Sequence, residues 1–572
     1  MSKWFVYNKK ADFKALGEKY NIDQVVARII VNRDVKEEDM GEYLSPTKEY
    51  LHDGSTMKDM KQGVNIIKNA IDENKKIRII GDYDVDGIQS TYILHQGLLR
   101  VGASVDYAIP DRVEDGYGIN VNMVEAAKEN GVETIITCDN GIAARDAIKR
   151  AKELGMQVVV TDHHEIPFED VDGKRRYILP EADAVINPHQ VDCNYPFDKL
   201  CGAAVAWKFI EQLYEACGLT REDAYVFIEN AAFATVCDVM ELVGENRTIV
   251  KLGLNKLNAT KNMGIETLIR RCGLEDTDLN SYHLGFVLGP CLNASGRLDS
   301  ATVAIELLET TSPIQAAQLA EKLQQLNEER KTMTEIGIKN AQEAIEREGM
   351  EEDVVLVIYL PDIHESVAGI IAGRIRERYE RPVFVLVNAA DGDGVKGSGR
   401  SLDGYSMYEK MCECKDLLTK FGGHPKAAGL SLPKENVEKF RRALNENAGV
   451  TLSEVEEKVH IDVPMPFGYI SEKLIEQMDV LEPFGNANSK PVFAQKDVRV
   501  ISKKNIGKTG QFLKMVLRDA NGADIDALYF GDIDKIENVL SQKNNCMNIL
   551  YYPQINEYRG VKSVQIVVSD IA

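Results

Sequence analysis

Acidic and imidazole side chains recur in this sequence at the ends of apolar runs. The first cluster is "GDYDVDG", which sets Asp82, Asp84 and Asp86 at alternate positions after "IRII". In extended backbone, alternate residues point the same way. Three like charges on one face repel, so water or a cation must lie between them. "TCDNG" adds Asp139, and "VVVTDHHE" adds Asp162, His163 and His164. "FATVCDVMEL" adds Asp238 after an apolar helical run, where an unpaired carboxylate is costly. Taken singly, each acid reads as a capping Asp or a solvated turn. Together with the imidazoles they form a ligand set for two Mn²⁺ or Mg²⁺ ions, and the nitrogen donor favours Mn²⁺ somewhat. Two ions about 3.5–4 Å apart activate water and stabilise the leaving oxygen in phosphoryl hydrolysis. The expected chemistry is therefore metal-assisted phosphohydrolysis, with no serine or cysteine nucleophile. A DxDxDG run also opens an EF-hand loop, but that loop needs a Glu at position 12 and a preceding helix. Here position 12 is Ile93 and a strand precedes, which excludes it.

These residues need elements that converge. From about residue 76 strand and helix patterns alternate. "IRIIGDYDVDG", "SVDYAIPDR", "ETIITCDNG", "QVVVTDHH" and "ADAVINPH" read as strands, separated by helices such as "NVNMVEAAKEN" and "AARDAIKRAKELG". This pattern predicts a mostly parallel sheet covered on both faces, with ligands beyond the C-terminal strand ends. Neighbouring side chains on a strand diverge, so His163 and His164 are expected to do different jobs.

Residues 200–310 read mainly as helix. A single long helix is expected over 313–348, with Ser312 as N-cap, Pro313 at the first position and Gly349 as the stop. Leu319, Leu323, Leu326 and Met333 would keep one apolar face, and the helix reads as a domain connector. A second α/β unit follows, with "VVLVIYL" and "PVFVLVN" flanking the helix "ESVAGIIAGRIRERY". After about residue 466, five short strand patterns with no long helix between them predict a small barrel of the OB type. Tyr551, Tyr552 and Tyr558 would suit base stacking there, or else pack its core.

The net charge of −22 argues against electrostatic coating of duplex DNA but leaves room for a narrow groove. Residues 466–572 hold thirteen Lys and Arg against thirteen Asp and Glu, so they are neutral and the remainder carries the whole negative charge. The ten cysteines include no CxxC pair and read as buried thiols rather than a disulfide or zinc framework. "MSKWFVYNKK" has no apolar core of a secretory signal, and no run approaches the ~18 apolar residues of a membrane span. A cytoplasmic location and no membrane association are expected.

In this order, "DYDVDG", "TCDNG", "TDHHE" and "ATVCDVM" resemble the four motifs of the DHH phosphoesterase superfamily. "SGRS" and "FGGHPKAAGL" resemble its associated DHHA1 substrate-binding domain. "DRVEDGYG", "LGPCLNASGRLDSA" and "EPFGNANSKPVF" are similar to the RecJ family of single-stranded-DNA-specific exonucleases, and the resemblance spans essentially residues 50–572. It implies an N-terminal segment (1–50), a DHH catalytic domain (51–311), a connector helix (312–348), a DHHA1 domain (349–465) and an OB-like nucleic-acid-binding barrel (466–572).

The resemblance further implies 5′→3′ degradation of single-stranded DNA to nucleoside 5′-phosphates with two Mn²⁺ or Mg²⁺ ions, in repair and recombination. A monomer working with a single-strand-binding protein and a helicase is expected. Carried over by motif, Asp82, Asp84, Asp86, Asp139, His163 and Asp238 would hold the metals. His164 would meet the substrate phosphate or tune a ligand, and Asp162 would orient an imidazole. Ser398, Arg400, Gly422, Gly423 and His424 would bind nucleotide phosphates. His364 and Arg374 would contribute to substrate binding or belong to a packed helix. Arg297 would contact DNA or form a structural ion pair. Superfamily members often carry a histidine ahead of the first DxD pair, whereas here the run begins at Asp82. Asp84 and Asp86 are therefore the firmer ligands of the three. A short-oligonucleotide or cyclic-dinucleotide phosphodiesterase is generally shorter and lacks a barrel such as these 107 residues after 465 would form. A non-catalytic replication scaffold on this fold would be expected to lose ligands, and all are present.

Overall fold

The computed structural model describes residues 3–572 except 113, 114, 172, 391, 393, 453, 455–457, 508, 544 and 559, and the side chain of Tyr558 also lies outside the described residues. The chain forms two compact units, one of Pro46–Val455 and one of Met1–Ser45 with Glu456–Ala572.

In the larger unit, isoleucine and valine runs make five strands. They are β1 (Lys76–Ile80), β2 (Ser104–Ala108), β3 (Thr134–Cys138), β4 (Gln157–Thr161) and β5 (Ala184–Ile186). All pair in parallel, in the order β2-β1-β3-β4-β5. Ile77, Ile79, Ile135, Ile136 and Val158–Val160 are fully buried, as a sheet covered on both faces requires. The chain steps outward from β1 to β2 and then crosses back to β3. The switch point between β1 and β3 is where such sheets bind ligands.

Six helices matter for the site: α1 (Val85–Arg100), α2 (Gly202–Ala216), α3 (Ile228–Cys237), α4 (Gly289–Leu298), α5 (Pro313–Arg347) and α6 (Glu365–Tyr379). The 35-residue α5 runs about 52 Å at 1.5 Å per residue. Ser312 caps it through the Gln315 N–H, and Gly349 beyond its end has φ +60°. Its buried stripe differs in phase from the leucine pattern. Ala316, Ala320, Leu323, Asn327, Gly337 and Ala341 face inward, while Leu319, Leu326 and Met333 are half-buried beside them. Small residues on that stripe let neighbouring elements approach closely.

The second sheet has order β9-β10-β8-β7-β6, with β6 (Leu356–Tyr359), β7 (Val383–Asn388), β8 (Val395–Arg400), β9 (Lys420–Gly423) and β10 (Ala427–Leu432). Only β6 and β7 pair in parallel.

In the smaller unit, β11 (Phe493–Ile506), β12 (Phe512–Arg518), β13 (Asp524–Tyr529), β14 (Cys546–Tyr558) and β15 (Val561–Ile571) form a barrel, closed by pairing of β11 with β14. A helix interrupts the strand series, and of the two roles open to the tyrosines the core-packing one holds at Tyr551. A ten-residue helix, Ile533–Gln542, stands between β13 and β14 and buries Ile536, Val539 and Leu540. Tyr551 is a core residue, 1 % exposed, packed near Phe467 and Phe493 and donating its hydroxyl to the Met465 carbonyl at 2.5 Å. Tyr552 is half-buried beneath the Lys490 ammonium. An aromatic pair of the barrel that reaches the surface is Phe512–Phe530, with ring centroids 5.0 Å apart and Phe530 51 % exposed.

The N-terminal segment shares this unit's core. Val26, Ile29, Ile30 and Met40 pack with Phe467, Met478 and Phe493, and Lys3–Val6 pairs in parallel with Lys458–Ile461. Asn488 of "EPFGNANSKPVF" locks the segments together. Its Oδ1 accepts from Arg33 Nε and the Tyr43 hydroxyl, and its Nδ2 donates to the Leu481 and Pro483 carbonyls. Among the described residues, no helix is long and apolar enough to cross a membrane.

Candidate active site

The acids do not share one extended face, as expected from their spacing, because the backbone turns from strand to helix inside the motif. Asp82 follows β1, Asp84 is the N-cap of α1, and Asp86 lies in its first turn. Asp84 Oδ1 accepts from the N–H groups of Asp86 and Gly87 at 3.0 and 3.1 Å, which leaves its other oxygen for a ligand. The turn is tight enough that a Cβ on Gly87 would stand 2.4 Å from the Asp82 carbonyl. Asp86 accepts from the Gly202 and Ala203 N–H groups, both at 2.7 Å, so the positive end of α2 steadies its charge. A side chain at Gly202 would collide with Asp139, its Cβ falling 2.7 Å from that of Asp139.

Asp139 follows β3 in left-handed backbone at φ +60°, and Asp238 caps the C-terminus of α3. The split backbone path sorts the carboxylates into two groups. Ligand atoms of Asp82, Asp84 and Asp139 lie within 4.8 Å of one another, as do those of Asp86, His163 and Asp238, and a third group, Asp139, His163 and His164, overlaps both. His163 Nε2 lies 3.0 Å from Asp139 Oδ1, 3.5 Å from Asp86 Oδ2 and 3.8 Å from Asp238 Oδ2.

His163 and His164 sit in the loop after β4, their rings 4.4 Å apart, and they face different partners. Asp162 organises both. Its Oδ1 accepts from the His163 and His164 N–H groups and from His164 Nδ1 at 2.8 Å, and its Oδ2 accepts from Ile142 N–H. His164 Nε2 meets the Tyr117 hydroxyl at 3.1 Å, and that hydroxyl donates to the Asp139 carbonyl at 2.6 Å.

Electrostatics separates these roles. Burial pushes the carboxyls of Asp82, Asp84, Asp139 and Asp238 up, and like charges add to it: Asp84 for the first, Asp86 for the other three. Asp82 Oδ2 is buried with no hydrogen-bond partner. An orphaned oxygen among mutually repelling carboxylates, with one imidazole nitrogen, is the environment a pair of hard divalent cations relieves. Burial would raise Asp162 too, but the His164 hydrogen bond and the His164 and His163 charges hold it down to about 2. Burial opposes charging of His164, yet the bond to Asp162 and the acids around it raise it to about 9. His164 therefore donates from both ring nitrogens, whereas burial pushes His163 down and leaves a neutral nitrogen free to ligate.

A cavity of about 460 Å³ begins at Tyr83, between the first two acids, and is lined also by Arg112, Ser366, Ser398, Lys420 and Gly422. A second cavity, of about 340 Å³, shares Arg112, Ser366 and Ser398 and adds Phe286, Arg297, Arg374 and Arg400. Arg297 donates to the Ser366 carbonyl at 2.6 Å, and burial with Arg112 nearby pulls it down to about 9. Arg400 is lowered in the same way, and neither forms an ion pair with a carboxylate among the described residues. Arg374 pairs with Glu377 at 3.1 Å. His364 lines neither cavity. It caps α6 and contacts Ser366 Oγ at 2.7 Å. His424 is exposed at the tip of the β9–β10 hairpin, its N–H donating to Ala427, beside Gly423 at φ +142°. Arg112, Tyr117 and Phe286 were not singled out by their sequence. Arg112 and Tyr117 belong to "DRVEDGYG", whose position after β2 at the same sheet edge was the available signal.

Three family models match the chain in sequence order: "DHH family, N-terminal domain" over residues 76–235, "DHHA1 domain" over 352–449 and "RecJ OB domain" over 461–570. The single-stranded-DNA-specific exonuclease RecJ of Bacillus subtilis (strain 168) is 34 % identical across all of this chain and 71 % of its own length. The structure resembles RecJ of Thermus thermophilus in complex with Mn²⁺, with a TM-score of 0.84 and 25 % identity over all of this chain and 79 % of that one. It also resembles an exonuclease RecJ bound to manganese, with a TM-score of 0.58 and 31 % identity over 69 % of this chain and 95 % of that one. With these matches running from the acid loops through the barrel, the chain belongs to the RecJ family of single-stranded-DNA-specific exonucleases.

Proposed function

We propose that this protein hydrolyses single-stranded DNA from its 5′ end to nucleoside 5′-phosphates, using two Mn²⁺ or Mg²⁺ ions, in DNA repair and recombination. The observation that carries this reading is the convergence of five carboxylates and an imidazole, in overlapping ligand groups, at the switch point of the sheet, beside a cleft lined by arginine. Asp82, Asp84 and Asp139 would hold one ion, and Asp86, His163 and Asp238 the other. When bound, such a pair supplies an activated water and charge neutralisation at the phosphate.

The remaining work falls to side chains. Asp162 fixes the ring of His164 through Nδ1, and its Nε2–H would exchange the Tyr117 hydroxyl for a phosphate oxygen. Arg112, Arg297 and Arg400, with Ser398 between them, would hold the strand's phosphates, for which the planar guanidinium fork is suited. Gly422 lines the adjoining cavity without a side chain to obstruct it. The barrel would supply single-strand binding of its own. The relatives' names supply the preference for single strands, and family resemblance supplies the polarity. A single-strand-binding protein and a helicase are the expected working partners, in the cytoplasm.

Digestion of strands labelled at one end or the other, with Mn²⁺ and a duplex control, tests this reading. Early release of a labelled mononucleotide from the 5′ end alone is expected. Release from the 3′ end, or accumulation of oligonucleotides, overturns it.

A further inference from the structure

Two aromatic rings stand in the open beside the arginine-lined cavity. Phe286 is 66 % exposed and Tyr282 61 % exposed, and their rings stack with centroids 5.2 Å apart at 24° between planes. They belong to one helical stretch whose first turn, Ser281–His283, is α and whose next, Leu284–Leu288, is π. That stretch runs directly into α4, which carries Arg297. A π-turn is uncommon and tends to occur where a side chain must be re-aimed at a functional site.

Leaving two large aromatics exposed forgoes the stabilisation that burying them would bring. Packing gives no return for it here, because neither ring fills a core. The cavity supplies a reason. Phe286 forms a wall of the same space as Arg112, Arg297, Ser398 and Arg400. Arg112, Arg297 and Arg400, which form no ion pair among the described residues, therefore stand next to a flat apolar surface, with Glu365 and Glu377 also on the cavity wall. The arginines and that surface complement the two halves of a nucleotide, the phosphate and the base.

We propose that the Phe286–Tyr282 stack is a nucleobase-binding subsite, holding a base of the strand whose phosphate lies among Arg112, Arg297 and Arg400. The inference rests on reading the cleft as a DNA site. Because every base has a π-face, such a platform accepts all four bases and orders the strand without selecting sequence. It would also disfavour duplex, whose bases are already stacked and paired.

The test measures dissociation constants, without added metal, for a 5′-phosphorylated single strand and for strands carrying one abasic site at successive positions. Wild type, Phe286→Ala, Phe286→Leu and Phe286→Trp are compared, with melting curves to verify folding. In wild type, an abasic site at one position is expected to weaken binding about 5- to 150-fold, the range for one base–aromatic stack. Phe286→Ala and Phe286→Leu should weaken binding of the intact strand by a similar factor, and Phe286→Trp should restore it. At that one position the two losses should not multiply, because both remove the same contact. A wild type indifferent to abasic sites at every position, or losses that multiply throughout, overturns the proposal. The readout does not depend on hydrolysis: coupling in a protein that releases no nucleotide with Mn²⁺ would remove the proposed function and leave the subsite standing.

Discussion

His163 Nε2 stands 3.0 Å from Asp139 Oδ1, deep in the acid cluster, while His164 Nδ1 is 4.0 Å from that oxygen and is held by Asp162 at 2.8 Å. Two consecutive imidazoles thus receive opposite electrostatic treatment, one neutral and enclosed, the other charged and 41 % exposed at its side chain. His163→Ala is expected to weaken Mn²⁺ binding at least tenfold in a calorimetric titration. His164→Ala should leave that titration near wild type and lower turnover by about 10²- to 10³-fold. Indistinguishable titrations for the two variants would show the division of labour to be wrong.

Asp139 contributes to the first ligand group and touches His163 of the second. Asp139→Asn should reduce Mn²⁺-dependent hydrolysis by on the order of 10³-fold or more. In metal-free protein the same change should raise the melting temperature, since it removes one of several buried carboxylates that repel each other. Wild type should gain stability as Mn²⁺ is added, and the variant should gain less. Unchanged turnover sinks the site assignment.

The shared core of residues 1–45 and the barrel governs truncation. Deleting 466–572 alone would expose Val26, Ile29, Ile30 and Met40, which are fully buried against that part of the chain. Such a variant should aggregate, as judged by light scattering. Removing both segments, to leave 46–455, should give a soluble protein that cleaves short strands but binds long ones less tightly. Equal losses on short and long strands would count against a binding role for the barrel.

On the barrel itself, Phe512→Ala with Phe530→Ala should weaken binding of long strands by about 5-fold or more. Cleavage of trinucleotides should stay unchanged. Tyr551→Ala should instead lower the stability of the smaller unit by about 3–5 kcal/mol, as loss of a large core side chain does. A denaturant titration distinguishes the two.

Glu229, in the first turn of α3, is 5 % exposed. Thr260 Oγ1 donates to one of its oxygens at 3.1 Å, and the other has no partner. Burial pushes its carboxyl from 4.5 up to about 7. The folded state therefore binds more protons than the unfolded state between those values, and stability falls as pH rises through that window. Glu229→Gln should raise stability at pH 8 by up to about 3 kcal/mol and flatten the decline between pH 5 and 7. A decline that persists in the variant assigns it to other groups.

The acids and imidazoles of the site were legible from type and spacing, because strand ends of a parallel sheet are where such residues gather. The Ile and Val runs specified the five strands, and Ser312, Pro313 and Gly349 marked the limits of the long helix, since caps act through local backbone geometry. What local pattern did not carry was the grouping. The motif ranked Asp84 and Asp86 above Asp82 as ligands, but did not say which acid serves which ion. Only the turn into α1, and the α2 N-terminus arriving at Asp86 from more than a hundred residues away, set Asp86 in a different ligand group from Asp82 and Asp84. Likewise, nothing local joins the N-terminal segment to the barrel, and nothing in the spelling of Tyr551 distinguishes a core ring from a surface one. Burial is a property of long-range packing. Sequence alone therefore determined which chemistry this protein is equipped for, and the tertiary structure decided which side chain does which part of it.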